Sequence, residues 1–259
     1  MNPEIPPAPA LGAIPDKPDP RDYVRVTAVT PVPDTFSLRE FGLQSPWNQG
    51  QLGACAGYST AAAIETLFGQ LHPGKIWEPS PLYLYYKARE LGGNLGTDTG
   101  AQLRDMMKVL TEFGVPPLFA HPTLRDWQMP PTPLADELAG TLKIKDYQRI
   151  LVGPDAPTEM MKCLYQERLP LIVAVKVFDT IYGKQTSYDG KVLLPGPEDK
   201  SLGYHALMCD EFDATTQRFS GWNSWGQAWG WGGRFSLPFE WFRRWDLTAD
   251  IWSFSTRYW

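Results

Sequence analysis

Cysteine and histidine are scarce in this 259-residue chain: three of each, Cys55, Cys163 and Cys209, and His72, His121 and His205. Three widely spaced cysteines define no disulfide framework, and no His/Cys pair has the spacing of a metal-ligand set, so no zinc site is expected. Runs of Lys and Arg are also missing. With a formal net charge of −5, the chain has no basic face for nucleic acid. No apolar stretch reaches the ~20 residues needed to span a bilayer, so no membrane partner is expected. The longest, Leu169 to Phe178, is broken by Pro170 and Lys176 and reads as a buried strand. The opening MNPEIPPAPALGAIPDKPDPRDY lacks the basic and apolar regions of a secretory signal. A cytoplasmic or other reducing setting is the expectation, with a virion or similar assembly as the second one.

Aromatic residues are plentiful, with 11 Trp, 11 Tyr and 12 Phe. They supply apolar area for one large domain or two subdomains sharing an interface. Proline is concentrated at the start, at positions 3, 6, 7, 9, 15, 18, 20, 31 and 33. Residues 1–40 therefore read as an extended arm with little helix or sheet, docked on its own body or on an assembly partner.

Residues 41–150 read as mainly helical. The segment ACAGYSTAAAIETLFG is Ala-rich and places Cys55 in the first turn of a buried helix. PSPLYLYYKARELGG has proline at its start and a Gly-Gly stop. Ala101 to Phe113 forms a third helix closed by Gly114, and a shorter fourth covers Thr132 to Leu142. A fifth runs from Pro157 to Arg168. Residues 151–259 otherwise read as β-rich, because LIVAVKVFD, YHALMCDEFD, QRFSGWNS and GRFSLP are short apolar or alternating runs. Asp213–Thr216 makes the hairpin turn between two of them. The class is α+β, with a site expected in the cleft between the halves.

Three segments carry chemistry. In Asn48–Tyr58 a cysteine sits at a helix N-terminus, where the helix dipole favours thiolate. The glycines before it permit close approach of a substrate, and Gln49 could place its amide N–H beside the Cys55 N–H as an oxyanion hole. An inert buried thiol explains that segment alone equally well. His205, in Gly203–Met208 on a predicted strand, could be a core histidine. The stretch Gly221–Phe235, rich in Trp and Gly, could be core or a carbohydrate surface.

Taken together they resemble the papain-like cysteine peptidases of the C1 family. Asn223, Ser224, Trp225, Gly226, Trp229, Gly230, Gly233 and Phe235 are similar to the family's Asn-Ser-Trp-Gly-x-x-Trp-Gly-x-x-Gly-x-Phe motif. Gln49-Gly50, Gly53 and Cys55 resemble its Gln-Gly-x-x-Gly-x-Cys, and Gly203-x-His205-Ala206 its histidine strand. The order and the long Cys-to-His gap suit the family. Asp98–Gln102 is similar to the glycine-rich edge of the substrate groove, and Ile14–Asp22 to the lead-in of compact bacterial and phage members.

The resemblance implies a papain-like fold, a helical left subdomain and a β-barrel-like right one, with the active-site cleft between. It implies a cysteine endopeptidase acting on peptide or protein without a cofactor. Cys55 would attack as thiolate paired with imidazolium His205. Asn223 would orient the imidazole, Trp225 would cover that hydrogen bond, and Gln49 would stabilise the oxyanion. Asp98, Thr99, Gly100, Gly53 and Trp225 would contribute to substrate binding.

Two departures stand out. Ala56 replaces a usual Trp, and Leu52 stands where secreted members carry a disulfide cysteine. Only 54 residues precede Cys55, so control by cleavage of a long helical pro-segment is not expected. Cys163 and Cys209 read as buried small hydrophobes. Two other readings remain at this point: a peptidase-like component of a virion or tail, and acyl or amide transfer by the same site.

Overall fold

The computed structural model describes residues 10–25, 31–43, 45–123 and 126–256. Pro3, Pro6, Pro7 and Pro9 of the arm, and the C-terminal Trp259, lie outside the described residues.

The N-terminal segment contributes two short strands, β1 (Ala13–Ile14) and β2 (Thr35–Ser37). A helical layer follows: α1 (Cys55–Leu71), α2 (Pro81–Gly92), strand β3 (Ala101–Gln102), α3 (Leu103–Glu112) and α4 (Pro133–Ala139). The rest is built from β4 (Asp146–Arg149), α5 (Ala156–Gln166), β5 (Leu171–Phe178), α6 (Lys184–Asp189) and β6 (Ser201–Asp213). It ends with β7 (Arg218–Trp222), β8 (Arg234–Pro238), α7 (Phe239–Arg243) and β9 (Thr248–Ser255).

Local chemistry sets the helix limits. The Ser80 hydroxyl caps α2 by accepting from Tyr83 N–H at 3.1 Å, a contact worth about 1 kcal/mol. Gly93, in the left-handed conformation, closes it. Thr132 caps α4 in the same way. Over its first three turns α1 is buried almost all round. It tolerates that because its residues are small: a Cβ on Gly57 would lie 2.5 Å from Pro81 O and 3.3 Å from Tyr85 Cβ.

The strands β4-β9-β5-β6-β7-β8 form one antiparallel sheet, and β2 adds to β6. The 13-residue β6 is its spine. Its first half pairs with β5, setting His205 opposite Val175, and its second half pairs with β7. Trp241, Trp252, Phe219, Phe235 and Phe254 fill the core beside it.

The five helices and four strands expected appear, with ends moved by a few residues. The sheet also includes β2, β4 and β9, so the two halves are less segregated than expected. The described part of the arm has little regular structure of its own beyond β1, β2 and a short helical turn at Arg39–Phe41. Residues 10–25 and 31–43 dock on the body, with β1 pairing parallel to β3, Val24 bridging to Arg149, and β2 extending the sheet. A proline-rich segment forms these pairs because its ladder residues are Ala13, Ile14, Thr35, Phe36 and Ser37, none of them proline. Among the described residues no helix is long and apolar enough to cross a membrane.

Candidate active site

Small residues position Cys55. Ala54, before α1, offers no side-chain cap, so the first-turn N–H groups keep their positive potential. The backbone N–H groups of Cys55 and Ala56 act on Cys55 Sγ in the direction of the charged form. From the β side, Ala206 N–H donates to the same sulfur at 3.3 Å.

His205 precedes Ala206 on β6, and its Nε2 lies 2.7 Å from Asn223 Oδ1. That oxygen also accepts Ser224 N–H at 2.8 Å. Two donors converging on one atom fix it as the acceptor, so Nε2 carries the hydrogen. Nδ1 is then the lone-pair nitrogen, buried and, among the described residues, without a hydrogen-bond partner. Trp225 lies over the imidazole at 4.6 Å between ring centroids, stacks on Tyr182 at 5.5 Å, and meets Trp229 edge-on at 5.2 Å. Only 5% of it is exposed, which makes it a cover over the histidine and not an open wall of the cleft.

Gln49 ties the halves together. Its backbone N–H donates to Ser224 O at 2.8 Å, and its Oε1 accepts from the Ser224 hydroxyl at 2.5 Å. With Oε1 thus occupied, the amide turns Nε2 inward, donating to Leu52 O at 2.7 Å and to Ala10 O at 3.0 Å. Ser224 is a positioning residue that motif reading named without assigning a contact.

The second partner of Gln49 belongs to the arm. Ala10 N–H reaches Gly50 O at 3.4 Å, and Gly12 O accepts Ala101 N–H at 2.9 Å. Gly12 N–H faces Cys55 Sγ. A Cβ on Gly12 would fall 1.9 Å from Gly53 O, and one on Gly100 (φ +89°) would fall 2.2 Å from Gly12 O. Residues 10–14 therefore thread between the Gly53 loop and the Gly100 loop, across the thiol. An amide N–H, not a carbonyl carbon, is presented to the sulfur, so this strap is held as a cover. The sequence marked Gly53 and Gly100 as points of close approach; nothing marked Gly12.

Covering the site bears on both titratable groups. Both Cys55 and His205 are fully buried. Burial pushes the Cys55 thiol up to about 12 against the N–H groups of Ala206, Gly12, Ala56 and its own. Burial also pulls His205 down to about 4 against the Asn223 hydrogen bond. Burial beneath the strap thus works against each member of the expected thiolate–imidazolium pair, because a low-dielectric site disfavours both charges.

Asp98 accepts Gly53 N–H at 2.9 Å and the Tyr85 hydroxyl at 2.5 Å, holding the two loops together. Thr99 Oγ1 accepts from Asn94 at 3.0 Å on the exposed side. Behind this loop Arg89 is completely buried and donates to Asn94 O at 2.8 Å, Leu95 O at 2.7 Å and Thr97 O. Its guanidinium sits 4.9 Å from the Tyr85 ring centroid and 4.4 Å from that of Trp127. Arg89 and Tyr85 are site-building residues that helix periodicity could not separate from ordinary helix positions. A cavity of about 400 Å³ lined by Gln49, Leu52, Tyr58, Leu82 and Trp127 borders the site. All three cysteines are free and buried.

No family model matches the chain. A peptidase C1-like protein of Acanthamoeba polyphaga mimivirus is 27% identical over 267 residues, covering 93% of this chain and 85% of that protein. The crystal structure of xylellain, a cysteine protease from Xylella fastidiosa, superposes with a TM-score of 0.86 at 27% identity over 96% of this chain and 97% of that one. Cathepsin K of Mus musculus is 27% identical over 224 residues, 82% of this chain and 63% of its own length, so the chain spans under two thirds of that relative.

Proposed function

We propose that the chain, on the papain-like two-subdomain α+β fold that it shares with its relatives, is a cysteine endopeptidase of the C1 type with Cys55 as its nucleophile, His205 its acid and base, Asn223 the orienting group and Gln49 an oxyanion donor. One observation carries this assignment: the 2.7 Å contact between His205 Nε2 and Asn223 Oδ1 leaves the buried Nδ1 unpartnered, on the residue next to the one whose N–H donates to Cys55 Sγ. Substrate is peptide or protein.

In the open enzyme the Cys55 thiol proton passes to His205 Nδ1 and the sulfur bonds to the scissile carbonyl carbon. The carbonyl oxygen becomes an oxyanion between Cys55 N–H and a Gln49 Nε2–H. That N–H is held by Ala10 O while the strap is in place, and lifting the strap frees it. The C–N bond then breaks, the amine leaves with the proton from Nδ1, and Cys55 is left as a thioester. A water gives its proton to Nδ1 and its oxygen to the acyl carbon, the C–S bond breaks to release the peptide acid, and the sulfur takes the proton back from Nδ1 as the thiol. Asn223 keeps the imidazole in the productive tautomer throughout, under the cover of Trp225. Gly53, Asp98, Thr99 and Gly100 form the edge along which a peptide would lie once the strap has left. Three unpaired cysteines suit a reducing compartment.

Labelling with an epoxysuccinyl peptide inhibitor, read by intact mass, tests the assignment. Wild type and Gly12→Ala should each take one adduct, Cys55→Ser none, and Cys163 and Cys209 should stay untouched. An adduct that persists in Cys55→Ser, or none even on Gly12→Ala, would overturn the assignment.

A further inference from the structure

Beyond the cleft the strap ends in a buried charge cluster. Asp16 reaches the N-terminus of α3, 88 positions along the chain, and caps it by accepting Arg104 N–H at 3.2 Å. It also accepts from Trp252 Nε1 at 2.8 Å, and its own N–H donates to Asp250 Oδ2 at 2.9 Å. Asp22, also on the strap, pairs with Arg104 at 2.6 Å and with Arg149 at 3.1 Å. Arg149 closes the ring on Asp250 at 2.5 Å. Both guanidiniums stand 5.7 Å from the Trp252 ring centroid.

The count of charges does not balance. Three carboxylates, Asp16, Asp22 and Asp250, face two guanidiniums, so the fully ionised cluster carries one uncompensated negative charge. The remaining groups nearby do not supply the missing cation. On the strap, Asp19 and Arg21 neutralise each other at 2.6 Å in solvent. Lys17 gives its carbonyl to Arg104, and the buried Arg25 is committed to Glu167 and to the Ser253 hydroxyl. On α3, Lys108 is paired with Asp105 at 3.0 Å, and Glu112 adds a further negative charge toward Tyr147 of β4.

We propose that Asp16, Asp22 and Asp250, set against Arg104 and Arg149, form a proton-linked latch that holds the N-terminal strap over the cleft at acid pH and releases it as the pH rises. One proton makes the docked cluster neutral. Lifting the strap carries Asp16 and Asp22 into water and leaves Asp250 with Arg149, so the undocked state needs no such proton. Burial, and then the charge of Asp16, push Asp250 up to about 7, and burial raises Asp16 as well. Both shifts mean that the docked state binds protons more tightly. The contribution to docking is complete below the ordinary carboxylate range and is lost as the pH rises through about 7. The cap on α3 and the Trp252 contact favour ionised Asp16, which leaves Asp250 as the proton's site.

The latch bears on the assigned active site, because releasing the strap uncovers Cys55, but its test does not depend on catalysis. Hydrogen exchange of amides 10–16 is followed from pH 4 to 8 in full-length Cys55→Ser, corrected for intrinsic exchange, with the α1 amides as reference. Protection of the strap should fall with rising pH, by up to about tenfold per pH unit for a one-proton link, while α1 stays level. Adding Asp250→Asn, or separately Asp16→Asn, should flatten the profile, since either change removes the excess charge. Protection that is constant or increases with pH in Cys55→Ser, or an equal fall in both added variants, would overturn the latch. The labelling result above stands or falls separately.

Discussion

The two walls of the cleft are built on opposite principles. The α1 wall is made of Ala54, Cys55, Ala56, Gly57, Ala61, Ala62 and Ala63, and its geometry is fixed by how closely backbones approach. The β wall is made of Trp222, Trp225, Trp229 and Phe235 around His205 and Asn223, and its geometry is fixed by large rings that fill space and exclude water. The nucleophile wall should therefore be sensitive to added atoms, and the histidine wall to removed ones.

The largest effect belongs to the group that both walls converge on. His205→Ala should lower kcat/KM on a peptide substrate by about ten-thousandfold or more; comparable turnover in the variant would remove His205 from the mechanism. Deletion on the β wall comes next. Trp225→Ala should cost about 3–5 kcal/mol in urea unfolding, and wet the His205–Asn223 bond, so that activity falls even where the fold persists. Addition on the α wall is third: Gly57→Ala puts a methyl against Pro81 O and Tyr85 and should cost about 1–3 kcal/mol. If Gly57→Ala proved neutral while Trp225→Ala did not, the distinction between the walls would fail on the α side. The smallest stability effect is at the seam. Gly12→Ala clashes with Gly53 O in the docked strap only, so it should speed epoxide labelling of Cys55 severalfold with little change in the unfolding midpoint.

Legibility in the sequence followed the same division. Helices such as α2 announced themselves because Ser80, Pro81 and Gly93 are local signals, and β5, β7 and β8 through short apolar runs. The strand β9 is not among the strands read from the sequence: TADIWSFS lies close behind the aromatic helix α7, and its pairing partners β4 and β5 are about 75 to 110 residues away. The residues of the site were found from three motifs, and the fold brings Cys55, His205, Asn223 and Gln49 together. Ser224 lacks an assigned contact because its partner Gln49 lies 175 positions away; Arg89 and Tyr85 meet Asn94, Leu95, Thr97 and Asp98 only because the loop after α2 folds back over that helix.

What the sequence determined was the chemistry available: one cysteine at a helix start, one histidine before Ala206, one asparagine in a Trp-Gly motif, and small residues where backbones must meet. Those are local properties, carried by residue type and short spacing. Only the tertiary structure decided that the site is covered, that burial beneath the cover disfavours the charged forms of both Cys55 and His205, and that Asp16 meets Asp250 across 234 positions of the chain. Burial and charge balance are sums over every segment that packs at a point, and no window of sequence contains that sum.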